Sequence, residues 1–122
     1  MENRIFDKAN AIVGQSGGPT AAINATLAGV IAGALDCPAI GTLYGARNGV
    51  EGMLRENLLD LSAFFGGETR EERLRLLACT PAAALGSCRR KLPGDPGAPE
   101  YAALFEIFAK NNIHYFFYIG GN

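Results

Sequence analysis

Between residues 9 and 35 the hydrophobic pattern changes period once, and the change falls on a run of glycines. Ala9–Val13 is a short run, apolar except at Asn10, that ends at Gly14. Such a run reads as a buried strand. Beyond the glycines, Ile23, Leu27, Val30, Ile31 and Leu35 recur at helical spacing in an alanine-rich stretch that stops near Asp36–Pro38. Thr20 stands where a helix N-cap belongs, directly against the glycine loop. A strand that passes through a tight loop into a helix begins a crossover, and crossovers join parallel strands.

The alternation continues along the chain. Ala39–Leu43 predicts a second strand, followed by a glycine-punctuated loop over Tyr44–Gly52. Leu58–Phe65 is apolar but mixed in period. Thr69–Leu77 predicts a charged amphipathic helix with Thr69 as N-cap and Glu72 completing a capping box. Ala82–Pro93 reads as a loop, and Pro93–Pro99 as a stiff surface connection too short to separate domains. Pro99 suits the first turn of a helix over Glu100–Asn111, and His114–Ile119 predicts a last apolar strand before Gly120-Gly121-Asn122. Strands alternating with helices predict an α/β fold, a parallel-sheet, Rossmann-like three-layer domain. In such sheets ligands bind beyond the carboxyl ends of the strands. Both glycine clusters fall at those ends.

Composition narrows the partners. With 122 residues, 48% of them hydrophobic, the chain suits one domain with a packed core. Eleven basic and twelve acidic residues leave a formal charge of -1, so no general attraction to nucleic acid or to an anionic membrane is expected. The polar opening MENRIFDKAN carries no leader pattern, and the most apolar windows are too short to span a bilayer. Cys37, Cys79 and Cys88 are scattered without metal-ligand spacing. A soluble cytoplasmic domain with reduced thiols is expected.

Three segments carry candidate chemistry. In GQSGGPT, Gly14–Thr20, the glycines let backbone N–H groups approach an anion, and the following helix adds partial positive charge at its amino end. The donors would come from around Gly14, Ser16, Gly17, Gly18 and Thr20. A tight turn that only joins two elements is the competing reading, since the loop is neither a Walker A sequence nor GxGxxG. In LGSCRRKL, Leu85–Leu92, Arg89 offers a planar fork of donors for phosphate oxygens, whereas a basic triplet also suits a solvated surface. In YIGGN, Tyr118–Asn122, two glycines after an apolar strand allow close approach by a ligand, or simply a turn. His114 reads as structural, and Asp36, Asp60 and Asp95 form no acid–base pair.

Taken in register, VGQSGGPTAAIN at Val13–Asn24, LYGARNGVEG at Leu43–Gly52, LGSCR at Leu85–Arg89 and YIGGN at Tyr118–Asn122 resemble the phosphofructokinase family. The resemblance covers nearly all of this chain and well under half of a family member. It implies part of a two-domain α/β enzyme that moves a phosphoryl group from ATP or pyrophosphate to the 1-hydroxyl of fructose 6-phosphate, with magnesium. On that resemblance Gly17, Arg89, Gly120 and Gly121 meet the donor phosphates. Arg89 stabilises charge during transfer. Asn122 falls where many members carry the aspartate of a GGD loop that handles magnesium, and asparagine is a weaker partner for the ion.

The first loop reads GGPT where typical bacterial ATP enzymes read GGDAPG, which resembles pyrophosphate-using members. Ala28 and Ala32 occupy the helix positions of effector arginines, so nucleotide-effector control is not expected. The resemblance places the catalytic aspartate, the sugar-phosphate arginines and the second domain beyond Asn122. The chain is therefore expected to be a partial sequence, without turnover alone and homo-oligomeric at full length. An ATP-dependent 6-phosphofructokinase, a non-catalytic phosphate- or nucleotide-binding module and an inert remnant are the alternatives.

Overall fold

The computed structural model describes residues 8–15, 21–79, 84–86 and 97–119. Nine elements follow in order: β1 (Ala9–Gln15), α1 (Ala21–Leu35), β2 (Ile40–Ala46), α2 (Gly49–Leu54), β3 (Leu58–Asp60), α3 (Leu61–Phe65), α4 (Arg70–Ala78), α5 (Pro99–Lys110) and β4 (Ile113–Ile119). The sheet order is β3-β2-β1-β4. β1 runs parallel to both β2 and β4, as the strand–helix alternation predicts.

β1 is central and nearly every residue in it is buried. Its side chains alternate between two apolar layers. Ala11 and Val13 join Leu27, Ala28, Ile31, Leu43, Leu61, Phe65 and Leu77 on the α1, α3 and α4 side. Ile12 joins Ala46, Met53, Leu104 and Ile113 on the α2 and α5 side. Helices thus cover both faces, which is the three-layer arrangement. The buried stripe of α1 is Asn24, Leu27, Ala28, Ile31 and Ala34, with Val30 and Leu35 partly covered. Truncating Ile31, which is wholly buried, would cost about 2–5 kcal/mol.

Asn10, the polar residue in the first apolar run, has a specific task. The ladders to both neighbouring strands slip in register beside it, between Ala9 and Ala11 on one side and between Asn10 and Ala11 on the other. Its amide bridges the slip: Nδ2 donates to the Asn111 carbonyl at 2.8 Å, and Oδ1 accepts from the Thr42 amide at 2.9 Å.

Several local expectations are corrected. The sheet is not wholly parallel, because β3 pairs antiparallel to β2, with Tyr44 opposite Asp60. Leu58–Phe65 mixes its periods because it holds a strand and a helix with no loop between them. Asp60 ends β3 and also caps α3, its Oδ1 accepting from the Ala63 amide at 2.9 Å. Tyr44–Gly52 is not a loop: β2 continues to Ala46 and α2 begins at Gly49. Thr69 stands at the N-cap of α4 as expected, but its side chain makes no capping bond. The start of α4 is instead tied to the end of α1, where Arg70 donates to both Asp36 carboxylate oxygens and to the Ala32 carbonyl.

Candidate functional site

The parallel strands β1, β2 and β4 finish at one edge of the sheet. Gln15, the last residue of β1, pairs in register with Ile119, the last of β4. The segment 16–20 therefore follows directly from one strand end, and Gly120 from the adjacent one. Of the residues expected to bind phosphate or metal, Gly14 is described. Ser16, Gly17, Gly18, Thr20, Arg89, Gly120, Gly121 and Asn122 lie outside the described residues.

Gly14 sits inside β1. A Cβ there would come within 2.7 Å of Met53 Cε and 3.1 Å of Tyr118 Cε1, so glycine makes room for two side chains packed on the α2 and α5 face. Tyr118 is its cross-strand partner, and the Tyr118 hydroxyl accepts from the Val50 amide at 3.2 Å. The last strand is thereby fastened to the start of α2.

A second fastening holds the residues that lead toward Arg89. Leu85 is buried, with its side chain against Gly45 in β2. Its backbone is gripped from both sides: the amide donates to Gln15 Oε1 at 2.8 Å, and the carbonyl accepts from the Asn48 amide at 2.8 Å. Asn48 adopts φ 58°, in the left-handed region where asparagine is tolerated. Its side-chain oxygen lies against Gly86, itself at φ +78°, where an added Cβ would collide with that oxygen.

Gln15 and Asn24 complete the arrangement, both at 0% exposure. Gln15 Nε2 donates to Asn24 Oδ1 at 3.0 Å, and the same oxygen accepts from the Ala84 amide at 3.0 Å. Reading the sequence for ligand-binding groups missed both residues, along with Asn48 and the Tyr118 hydroxyl. The signal for Asn24 was present: it lies three residues before Leu27, on the buried face of α1, where an unpartnered amide would be costly.

Other chemistry lies elsewhere. Asp36, held below its ordinary value by its hydrogen bonds and charge contact with Arg70, stands at the edge where the parallel strands begin. Glu56 is lowered by bonds from Asn111 and Lys110, toward that same edge. A cavity of about 370 Å³ lined by Lys8, Asp36, Cys37, Gly41 and Ser62 opens there too. Cys37 and Cys79 are free thiols. His114 is exposed on β4. Among the described residues no group of three or more His, Cys, Asp or Glu could hold a metal ion, and no helix is long and apolar enough to cross a membrane.

Comparison with known proteins agrees with this architecture. The pyrophosphate–fructose 6-phosphate 1-phosphotransferase of Methylococcus capsulatus is 45% identical over 114 residues, covering 92% of this chain and 26% of that protein. Crystal structures of pyrophosphate-dependent phosphofructokinases from Nitrosospira multiformis and Marinobacter aquaeolei superpose with TM-scores of 0.77 and 0.78, at 43% and 42% identity. Each superposition covers 93% of this chain and 26% of the other. The chain thus spans about a quarter of the length of the curated relatives it matches. The model of the family described as Phosphofructokinase matches residues 10–122, and the chain belongs to that family.

Proposed function

We propose that this chain supplies the donor-phosphate side of an enzyme that transfers phosphate from pyrophosphate to fructose 6-phosphate, giving fructose 1,6-bisphosphate. One observation carries the reading. The end of β1, the early part of α1 and the Ala84–Leu85 backbone are bonded together at the carboxyl edge of the sheet. The segments 16–20 and 87–90 both leave from that joint. The GGPT ending of the first loop and the names carried by the relatives favour pyrophosphate as donor.

In this reading, backbone N–H groups around Ser16, Gly17, Gly18 and Thr20 receive the donor's oxygens at the start of α1. Gly120 and Gly121 admit the donor without side-chain interference. Arg89 offers its planar fork to oxygens whose charge grows as the bridging bond breaks. The 1-hydroxyl oxygen of the sugar attacks phosphorus, its proton passes to a base, and inorganic phosphate leaves. Magnesium, the family's cation, would screen the donor's charge. It prefers hard oxygen ligands, and the described residues provide no carboxylate cluster for it. Asn122 is the residue of this chain proposed beside the ion. The enzyme is further read as a cytoplasmic, glycolytic homo-oligomer.

The test is donor choice. A purified enzyme carrying this sequence, given fructose 6-phosphate and magnesium, is expected to form fructose 1,6-bisphosphate with pyrophosphate. Turnover with ATP and none with pyrophosphate would overturn the donor assignment and favour the ATP-dependent alternative. Turnover with neither would favour a binding module.

A further inference from the structure

We infer that Gln15 and Asn24 are positioning residues that set the spacing between the two phosphate-binding segments. The inference rests on the phosphotransferase reading above and assigns a role to two wholly buried residues.

The bond directions are forced. The Leu85 amide can only donate, so the Gln15 group facing it at 2.8 Å is the oxygen. That turns Gln15 Nε2 toward Asn24, which must present Oδ1 at 3.0 Å. The Ala84 amide, also only a donor, reaches the same Oδ1 at 3.0 Å. Neither side-chain amide can flip without setting donor against donor. Gln15 and Asn24 stand in the chain on either side of residues 16–20, so their bond ties the end of β1 to the early part of α1. Their two bonds to Ala84 and Leu85 fix that joint of β1 and α1 to the backbone that leads into residues 87–90. Both side chains are wholly buried, where a half-satisfied amide network is costly and a satisfied one is rigid. A ligand whose phosphates contact both segments depends on that spacing.

Asn10 provides an internal control. At the opposite end of β1 its amide also bridges two backbone groups, far from the candidate site. Removing either kind of clasp lowers stability, but only one is placed to alter donor binding.

The experiment compares Gln15→Met, Asn24→Leu, Asn24→Asp and Asn10→Leu in an enzyme carrying this sequence. Unfolding, kcat and the separate KM values for donor and sugar phosphate are measured. Gln15→Met and Asn24→Leu are expected to lower kcat/KM for the donor about a hundredfold, the scale of a misplaced binding group. The sugar-phosphate KM should stay within about twofold. Asn24→Asp keeps the oxygen that accepts both bonds and should recover about tenfold of the loss seen for Asn24→Leu. Asn10→Leu should lower the unfolding temperature without changing donor KM. Amide exchange in the wild type adds an arm that needs no variant: donor binding should slow Ala84 and Leu85 together with residues 16–20. Unchanged donor kcat/KM in folded Gln15→Met, or slowing confined to 16–20, would overturn the inference. If the wild type proves to use ATP, the donor assignment falls, and the positioning role is read with ATP in the same assays.

Discussion

Tyr118 occupies the space that a side chain on Gly14 would fill. The two residues face each other across β1 and β4, and the tyrosine hydroxyl reaches on to the Val50 amide at 3.2 Å. The glycine that opens the loop motif is therefore required first by packing. Gly14→Ala would press on Tyr118 and on the buried Met53, an overpacking expected to cost about 1–3 kcal/mol. Tyr118→Phe removes one acceptor and should cost about 1 kcal/mol. Denaturant titration of both variants and their combination checks this. The double variant should cost less than the sum, because the smaller ring tip is free to tilt away.

Three of the helix glycines divide into two kinds. A Cβ on Gly52 would collide with the Arg47 carbonyl, which belongs to the backbone and cannot swing aside. Gly52→Ala is expected to cost more than about 2 kcal/mol. Gly29 and Gly33 have nothing within 4 Å of an added Cβ. Alanine at either exposed position should stabilise by about 0.5–1 kcal/mol, by restricting the unfolded chain and improving helix propensity. Thermal unfolding of the three single variants tests the division, and a stabilised Gly52→Ala would show that the Arg47 carbonyl does not obstruct that position.

Acid should loosen the junction of α1 and α4. The hydrogen bonds and positive charge of Arg70 hold the Asp36 carboxyl below its ordinary value. A carboxyl depressed in the folded state stabilises the fold above its unfolded value, near pH 4, and loses that contribution as pH falls through the folded value. Asp36→Asn should therefore be less stable than wild type at pH 7, with the difference shrinking below about pH 4. The effect is expected to be modest, because the pair is solvent-facing and screened by salt. A difference that persists unchanged at about pH 2.5 (well under the ordinary carboxylate range) would exclude Asp36 titration as its source.

Arg89 is expected to act on the transition state. In an active enzyme carrying this sequence, Arg89→Ala should lower kcat about a hundredfold or more, as for loss of one charge-stabilising donor. Arg89→Lys should recover only part, since lysine keeps the charge and loses the planar fork. Steady-state kinetics with saturating sugar phosphate decides it, and near-normal turnover in Arg89→Ala would remove the residue from the site.

The outer edge of the sheet should be adhesive in this chain. β4 lies beyond β1 with Tyr115, Phe116, Phe117 and Tyr118 exposed, and a long apolar edge strand is a template for further pairing. The 122-residue chain by itself is expected to self-associate at micromolar concentration, and Phe117→Lys to reduce this. Light scattering against concentration measures it; a monodisperse monomer would show the edge to be harmless.

Local chemistry made much of this protein legible in its sequence. The switch from an apolar run to helical spacing across Gly14–Thr20 determined β1 and α1, because strand and helix bury side chains at different periods. Pro99 marked the start of α5, and four motifs in register identified the family. What the sequence could not express was pairing at a distance. The antiparallel pairing of β3 with β2 is such a case, and so is Asp60, which ends that strand and caps α3 at once. Thr69, well placed by pattern, was left without a capping bond while Arg70 reached Asp36, a contact 34 residues away in the chain. The partners in the joint of Gln15, Asn24, Ala84 and Leu85 were likewise out of view: the place of Asn24 on a buried face was legible, but the backbone donors that satisfy the two amides arrive from 60 and 70 residues away. Sequence thus singled out the segments proposed to carry the chemistry, and the tertiary structure decided how the elements leading into them are joined, because buried hydrogen bonds are satisfied by whatever the fold brings within reach.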